Sequence, residues 1–253
     1  LHHQANIELN PFRQSIYLYA NPNYSTGVRM PNTKHALIIG ASRGLGLGLA
    51  NTLADRGWQV TATTRNTVPQ CHSSINWLTL DINDAAQRSS VKQSLSERQF
   101  EVIFVNAGVF GPAHQDLTLT SDEEMVSLFI TNTISPVRCA AELQPLLVAD
   151  SGILALMSSQ LGSLNENTTG AYSLYAASKS ALNMLSHQLS DSTAQQRQTL
   201  LCVHPGWVQT DMGGADATLT VSESVNAVAD QLEKWRGKGG HHYIDYSGKK
   251  LTW

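Results

Sequence analysis

Two residue patterns in this chain of 253 residues have the types and spacing to do chemistry. Tyr175 and Lys179 stand four positions apart in a helix-compatible segment, Ala171 to Leu189, so their side chains share one helix face and can meet. A free phenol is a poor base and a modest acid at neutral pH until a neighbouring cation stabilises the phenolate, and Lys179 can supply that charge. The second pattern is Gly40-Ala41-Ser42-Arg43-Gly44-Leu45-Gly46. Glycines at that spacing let a backbone turn come close to a bound anion, where side chains would block the approach or clash at positive φ.

Each pattern needs an element to position it. The glycines follow His35-Ala36-Leu37-Ile38-Ile39, a short apolar run with strand character, and precede Leu45 to Arg56, whose apolar residues recur at helical spacing. Strand, turn and helix in that order aim backbone N–H groups and the positive end of a helix dipole at one spot, a site for a pyrophosphate. Further strand signals fall at residues 34 to 40, 58 to 64, 76 to 80, 101 to 106, 152 to 158, 199 to 204 and 241 to 245, with helical segments between. Thr120-Ser121-Asp122-Glu123-Glu124 marks one helix start, with acidic residues in its first turn. The alternation predicts an α/β fold: a single doubly wound, Rossmann-type parallel sheet with helices on both faces.

From about Lys34 onward the chain resembles the short-chain dehydrogenase/reductase family. That family's T-G-x-x-x-G-x-G loop is matched by Gly40, Gly44 and Gly46, with Ile39 at the threonine position, and Ser42, Arg43 and Leu45 lie within the loop. Its N-N-A-G segment is matched by Asn106, Ala107 and Gly108, with Val105 replacing the first asparagine. The resemblance implies that Tyr175 is the general acid/base, that Lys179 lowers its pKa and binds the nicotinamide ribose, and that Ser159 is the catalytic serine, with Ser158 the adjacent alternative. It makes Asn132 the helix residue that holds a proton-relay water. It places Pro205 and Gly206 beside the nicotinamide, with Val208 and Thr210 downstream. Tyr172 has no lysine four residues later and is a decoy. Ser159 precedes Tyr175 by 16 residues, more than is usual, so Asn165 to Gly170 reads as an enlarged loop over the site.

Charge bears on the cofactor. The second strand ends at Thr64-Arg65, with no carboxylate to bind a ribose 2′-hydroxyl. Arg65, joined by Arg43, offers instead the planar fork that suits a 2′-phosphate, so the expected cofactor is NADP(H). Asp81 and Ile82, after the third strand, match the family's adenine-contacting position. The implied reaction is reduction of a small aldehyde or ketone, or the reverse alcohol oxidation. The short segment Trp207 to Gly214 and the C-terminal run resemble the branch that contains the signalling C-factor and carbonyl reductases such as sniffer. That branch keeps a second reading in view: an NADP(H)-binding regulatory protein whose turnover is incidental.

Composition narrows the remaining classes. A net charge of −3 with scattered Lys and Arg leaves no basic stripe for nucleic acid. No apolar run approaches membrane-spanning length. The three cysteines, Cys71, Cys139 and Cys202, form neither a disulfide framework nor a thiol metal site, which suits a cytoplasmic protein. His241 and His242 would face opposite sides of a strand, so no metal site is expected. Residues 1–29 read as an N-terminal extension, upstream-derived or a native arm packing through Ile16 to Tyr19, and residues 30–253 as the catalytic domain. The family's habit of pairing the helices around residues 121 to 148 and 172 to 190 implies a homodimer or homotetramer.

Overall fold

A computed structural model describes residues 33–253, so the N-terminal extension lies outside the described residues. Seven strands form one wholly parallel sheet: β1 His35–Ile39, β2 Gln59–Thr64, β3 Asn76–Thr79, β4 Val102–Val105, β5 Ile153–Met157, β6 Thr199–His204 and β7 Gly240–Asp245. Their order across the sheet is β3-β2-β1-β4-β5-β6-β7. The order in which strands are added therefore reverses between β1 and β4, and the crevice outside the carboxyl ends of strands at such a switch point is where open α/β sheets bind ligands.

Helices cover both faces: α1 Gly44–Asp55, α2 Ala85–Ser94, α3 Asp122–Phe129, α4 Ser135–Leu143, α5 Ser173–Ser186, α6 Ser190–Gln195 and α7 Val221–Trp235. The period-two alternation of the strands sorts the core into two layers. Leu37 and Ile39 of β1, Ile103 and Val105 of β4, and Leu154 and Leu156 of β5 pack with Leu143 and Leu182 of α4 and α5. Ala36, Ile38, Val102, Phe104, Ile153 and Ala155 point the other way, onto Leu49 and Leu53 of α1 and Val225 and Leu232 of α7. Because both faces are covered, the central strands are apolar throughout.

Two helix starts follow local rules. Ser121 and Glu124 make a reciprocal capping box at α3, as do Thr220 and Glu223 at α7. The helix that starts at Ser121 runs into a wide turn: Ile130–Ile134 forms one π turn between α3 and α4. Such wide turns cluster at functional sites, and Asn132 lies in this one. His241 packs against His187 and Trp253, whereas His242 faces Trp235, on opposite sides of β7.

Candidate active site

The glycine turn is fixed from three sides. Gly40 has φ +83°, its N–H donates to Thr63 Oγ1 at 2.9 Å, and its carbonyl accepts from Asn106 Nδ2 at 2.7 Å. Ala41 N–H donates to the Thr63 carbonyl at 2.8 Å. A Cβ on Gly40 would lie 2.9 Å from Ala107, and one on Gly46 would lie 2.2 Å from the Gly40 carbonyl oxygen and 2.6 Å from Asn106 Nδ2. Asn106, just after β4, thus ties that strand's end to the turn, and the glycines let turn, helix and loop close on one another.

Beside this turn lies a cavity of about 720 Å³ that runs over the carboxyl ends of the strands. It is lined at one end by Gly40, Ser42, Arg43, Gly44, Leu45, Arg65, Asp81 and Ile82. Asn106, Ala107 and Gly108 line its middle, and Ser159, Tyr175, Lys179, Pro205, Gly206, Val208 and Thr210 also border it. Of the expected site residues only Gly46 and Asn132 stay behind its wall, Gly46 packed under the turn and Asn132 fully buried. Residues 166 to 169 of the enlarged loop and Trp207, Met212 and Gly213 of the short segment Trp207 to Gly214, the lid, complete the rim.

Tyr175 and Lys179 do share one face of α5, with the Lys179 Nζ 5.7 Å from the Tyr175 ring centroid. Burial pushes the Tyr175 phenol up to about 12, and a hydrogen bond with the Ser159 hydroxyl pulls the other way. Lys179 stands beside the phenol on that helix face. Its ammonium donates to the Met157 carbonyl at 2.9 Å and is itself pushed down to about 8 by burial. A phenol held this high keeps its proton at neutral pH, the state a general acid needs.

The two candidate serines part company. Ser159 follows β5 as the cap of a short 3₁₀ turn, Gln160–Gly162, accepts from Leu161 N–H, and is the side chain that draws the Tyr175 phenol downward. Ser158 also borders the cavity, but its hydroxyl is committed to Asn183, donating to Oδ1 at 2.6 Å. Asn132 spends its amide on protein: Oδ1 accepts from Val109 N–H at 2.8 Å, and Nδ2 donates to the Val109 carbonyl at 2.8 Å and to Ser178 Oγ at 3.0 Å. Its side chain braces the loop after β4 against α5. Gly108 is confined by the same packing, since a Cβ there would lie 3.3 Å from Asn132 Oδ1 and 3.5 Å from Lys179 Nζ.

Of the two arginines, Arg65 is exposed along the cavity and makes no ion pair among the described residues. Arg43 is paired with Asp211 of the lid, so in this structure it faces the lid and not Arg65. Asp81 accepts from Asn83 N–H at 2.9 Å. Thr210 stays within the lid, donating to the Val208 carbonyl and accepting from Gly213 N–H. Tyr172 is half-exposed at the rim, its ring 5.3 Å from that of Phe110.

Three contributors carry no local sequence signal. Tyr243 donates to the Ser159 carbonyl from β7. His204, at the end of β6, lines the cavity with its imidazole pushed down to about 4 by burial, hence neutral. Gln115, in the loop after β4, accepts from Tyr175 N–H at 2.9 Å.

The model of the short chain dehydrogenase family matches residues 34–218. The chain belongs to that family. A short-chain dehydrogenase/reductase from Burkholderia multivorans with bound NADP is 36% identical, with a TM-score of 0.83 over 88% of this chain and 100% of that one. A carbonyl reductase from Pseudomonas aeruginosa in complex with NADP is 35% identical, with a TM-score of 0.81 over 88% of this chain and 100% of its own. The C-signal protein of Myxococcus xanthus is 34% identical over 158 residues, 60% of this chain and 92% of that protein. Among the described residues no helix is long and apolar enough to cross a membrane.

Proposed function

We propose that this oxidoreductase uses NADP(H) to reduce the carbonyl of a small aldehyde or ketone, with Tyr175 as the proton donor. The observation that carries the reading is one cavity with a glycine turn and an exposed arginine at one end and a buried, protonated phenol beside a serine at the other. The residues fit the cofactor: Gly40 to Gly46 form a turn that a side chain would fill, and Arg65 stands where a carboxylate would repel a 2′-phosphate. Asp81 and Ile82 would border the adenine, and Asn106 to Gly108, Pro205, Gly206, Val208 and Thr210 the rest of the dinucleotide. NADP-bound relatives support the same cofactor.

When bound, NADPH supplies a hydride for the carbonyl carbon. Tyr175 gives its proton to the carbonyl oxygen, and the Ser159 hydroxyl orients that oxygen by hydrogen bonding. Lys179, anchored to the Met157 carbonyl, keeps a positive charge near the phenol as its proton leaves. Asn132 holds the loop and α5 at a fixed separation, and Gly108 lets that loop pass close to Lys179. Phe110, Leu161, Tyr172, Trp207 and Met212 give the substrate end apolar and aromatic walls.

The C-signal relative supports one rival, a regulatory protein that needs NADP(H) occupancy but not turnover. Tyr175→Phe separates the two, because a regulator keeps its biological effect after that change and an enzyme does not. The cofactor claim is tested by fluorescence titration with NADPH and NADH, repeated on Arg65→Ala. NADPH preference that falls in the variant is expected; absence of binding by either nucleotide would overturn the reading.

A further inference from the structure

The catalytic helix begins without a cap of its own. Tyr172, the residue before α5, has a left-handed φ of 53° and its side chain makes no hydrogen bond to the first turn. Tyr175 is the third residue of α5, so its N–H is one of those a helix cannot satisfy internally. Gln115 satisfies it from 60 residues away, accepting on Oε1 at 2.9 Å. The same amide donates from Nε2 to the carbonyls of Phe110 at 3.1 Å and Pro112 at 2.7 Å. The Gln115 carbonyl in turn accepts from the Ser173 hydroxyl at 3.1 Å.

Gln115 itself has φ 54°, a left-handed conformation that a residue other than glycine keeps when its surroundings over-determine it. Phe110, whose carbonyl the amide holds, places its ring 5.6 Å from the Tyr175 ring. One side chain therefore fixes both the backbone of Tyr175 and the aromatic wall against which its ring rests.

We propose that Gln115 is a positioning residue for Tyr175, an inference that rests on the reading of Tyr175 as the proton donor. The role requires an amide. It must accept once and donate twice, which a carboxylate does in part and an apolar side chain not at all. Released from this pin, the first turn of α5 is free to fray and the phenol leaves its place beside Ser159. The glycine turn and Arg65 are untouched, so loss of the pin acts on the chemical step and spares cofactor affinity.

The test compares Gln115→Met and Gln115→Glu with the parent. It measures kcat per NADPH-binding site, KM for the carbonyl, NADPH affinity, and hydrogen exchange at the Tyr175 amide. A misplacement of catalytic groups by about 1 Å can cost about a hundredfold, and for a fraying turn we expect Gln115→Met to lower kcat about tenfold. KM and NADPH affinity should stay within about twofold, and exchange at Tyr175 should quicken while the middle of α5 is unchanged. Gln115→Glu keeps the acceptor and should recover part of both the rate and the protection. Parent-like kcat per binding site in Gln115→Met overturns the proposal. So does faster exchange along all of α5 with unaltered kcat, which marks a purely structural residue. If the parent reduces no carbonyl at all, the proposed function fails instead, and exchange confined to the first turn still decides whether the pin exists.

Discussion

Replacing Lys179 by methionine should abolish turnover without destabilising the protein at neutral pH. Lys179 is only 2% exposed, and burial pushes its ammonium from 10.5 down to about 8. Its folded pKa therefore lies below its unfolded one. Between those two values the unfolded chain binds more protons, so stability rises with pH across that window. Below about pH 8 the fold carries the whole penalty of holding the charge, about 3 kcal/mol at about 1.4 kcal/mol per pH unit. Methionine removes the charge at similar length but deprives the Met157 carbonyl of its donor, a loss of about 1–3 kcal/mol. At pH 7 the variant should thus match the parent or exceed it by up to about 2 kcal/mol. Near pH 10 the parent no longer carries most of that penalty, and the variant should become the less stable by roughly 1–2 kcal/mol. Urea unfolding of both proteins followed by circular dichroism at the two pH values measures the crossing, since titration of other groups cancels in the comparison. A stability gap that does not change with pH, or a variant weaker at pH 7 by more than about 2 kcal/mol, would refute the argument.

Three further outcomes are expected. Gly46→Ala drives a methyl into the Gly40 carbonyl and Asn106, a crowding of about 1–3 kcal/mol that must move the turn, and should weaken NADPH binding at least about tenfold. Parent-like binding in a titration would show that the turn is not held as described. In the parent, kcat/KM for NADPH should fall as pH rises through about 8, where Lys179 loses its charge, while Tyr175 stays protonated; a profile flat to about pH 10 would argue against a role for that charge. Light scattering should give a dimer or tetramer, and the mass of a single chain at micromolar concentration would exclude one.

Much of this was legible in the sequence because it is local. Strands such as Val102–Val105 announce themselves as short apolar runs, and each of the seven lies within a residue or two of its expected span. The glycine turn, Tyr175, Lys179 and the Asn106 segment are contiguous motifs, and the fold brings them around one cavity. Contacts between distant segments left no such trace. The amide of Gln115 reaches Tyr175 across 60 residues, and Tyr243 reaches Ser159 across 84. The spacing of Tyr175 and Lys179 shows that they can meet, but the burial that raises one pKa and lowers the other is set by the packed sheet beneath them. Arg43 reads from sequence as a phosphate ligand, yet a surface guanidinium takes the nearest carboxylate, here Asp211.

The central claim is that NADPH-dependent carbonyl reduction passes through the Tyr175 proton. Its most direct test follows NADPH oxidation with a panel of small aldehydes and ketones for the parent and for Tyr175→Phe, with NADPH affinity measured on the same samples. The account predicts turnover by the parent, and in the variant unaltered affinity with a rate at least about a hundredfold lower. A variant that binds NADPH and still reduces carbonyls at the parent's rate would contradict it.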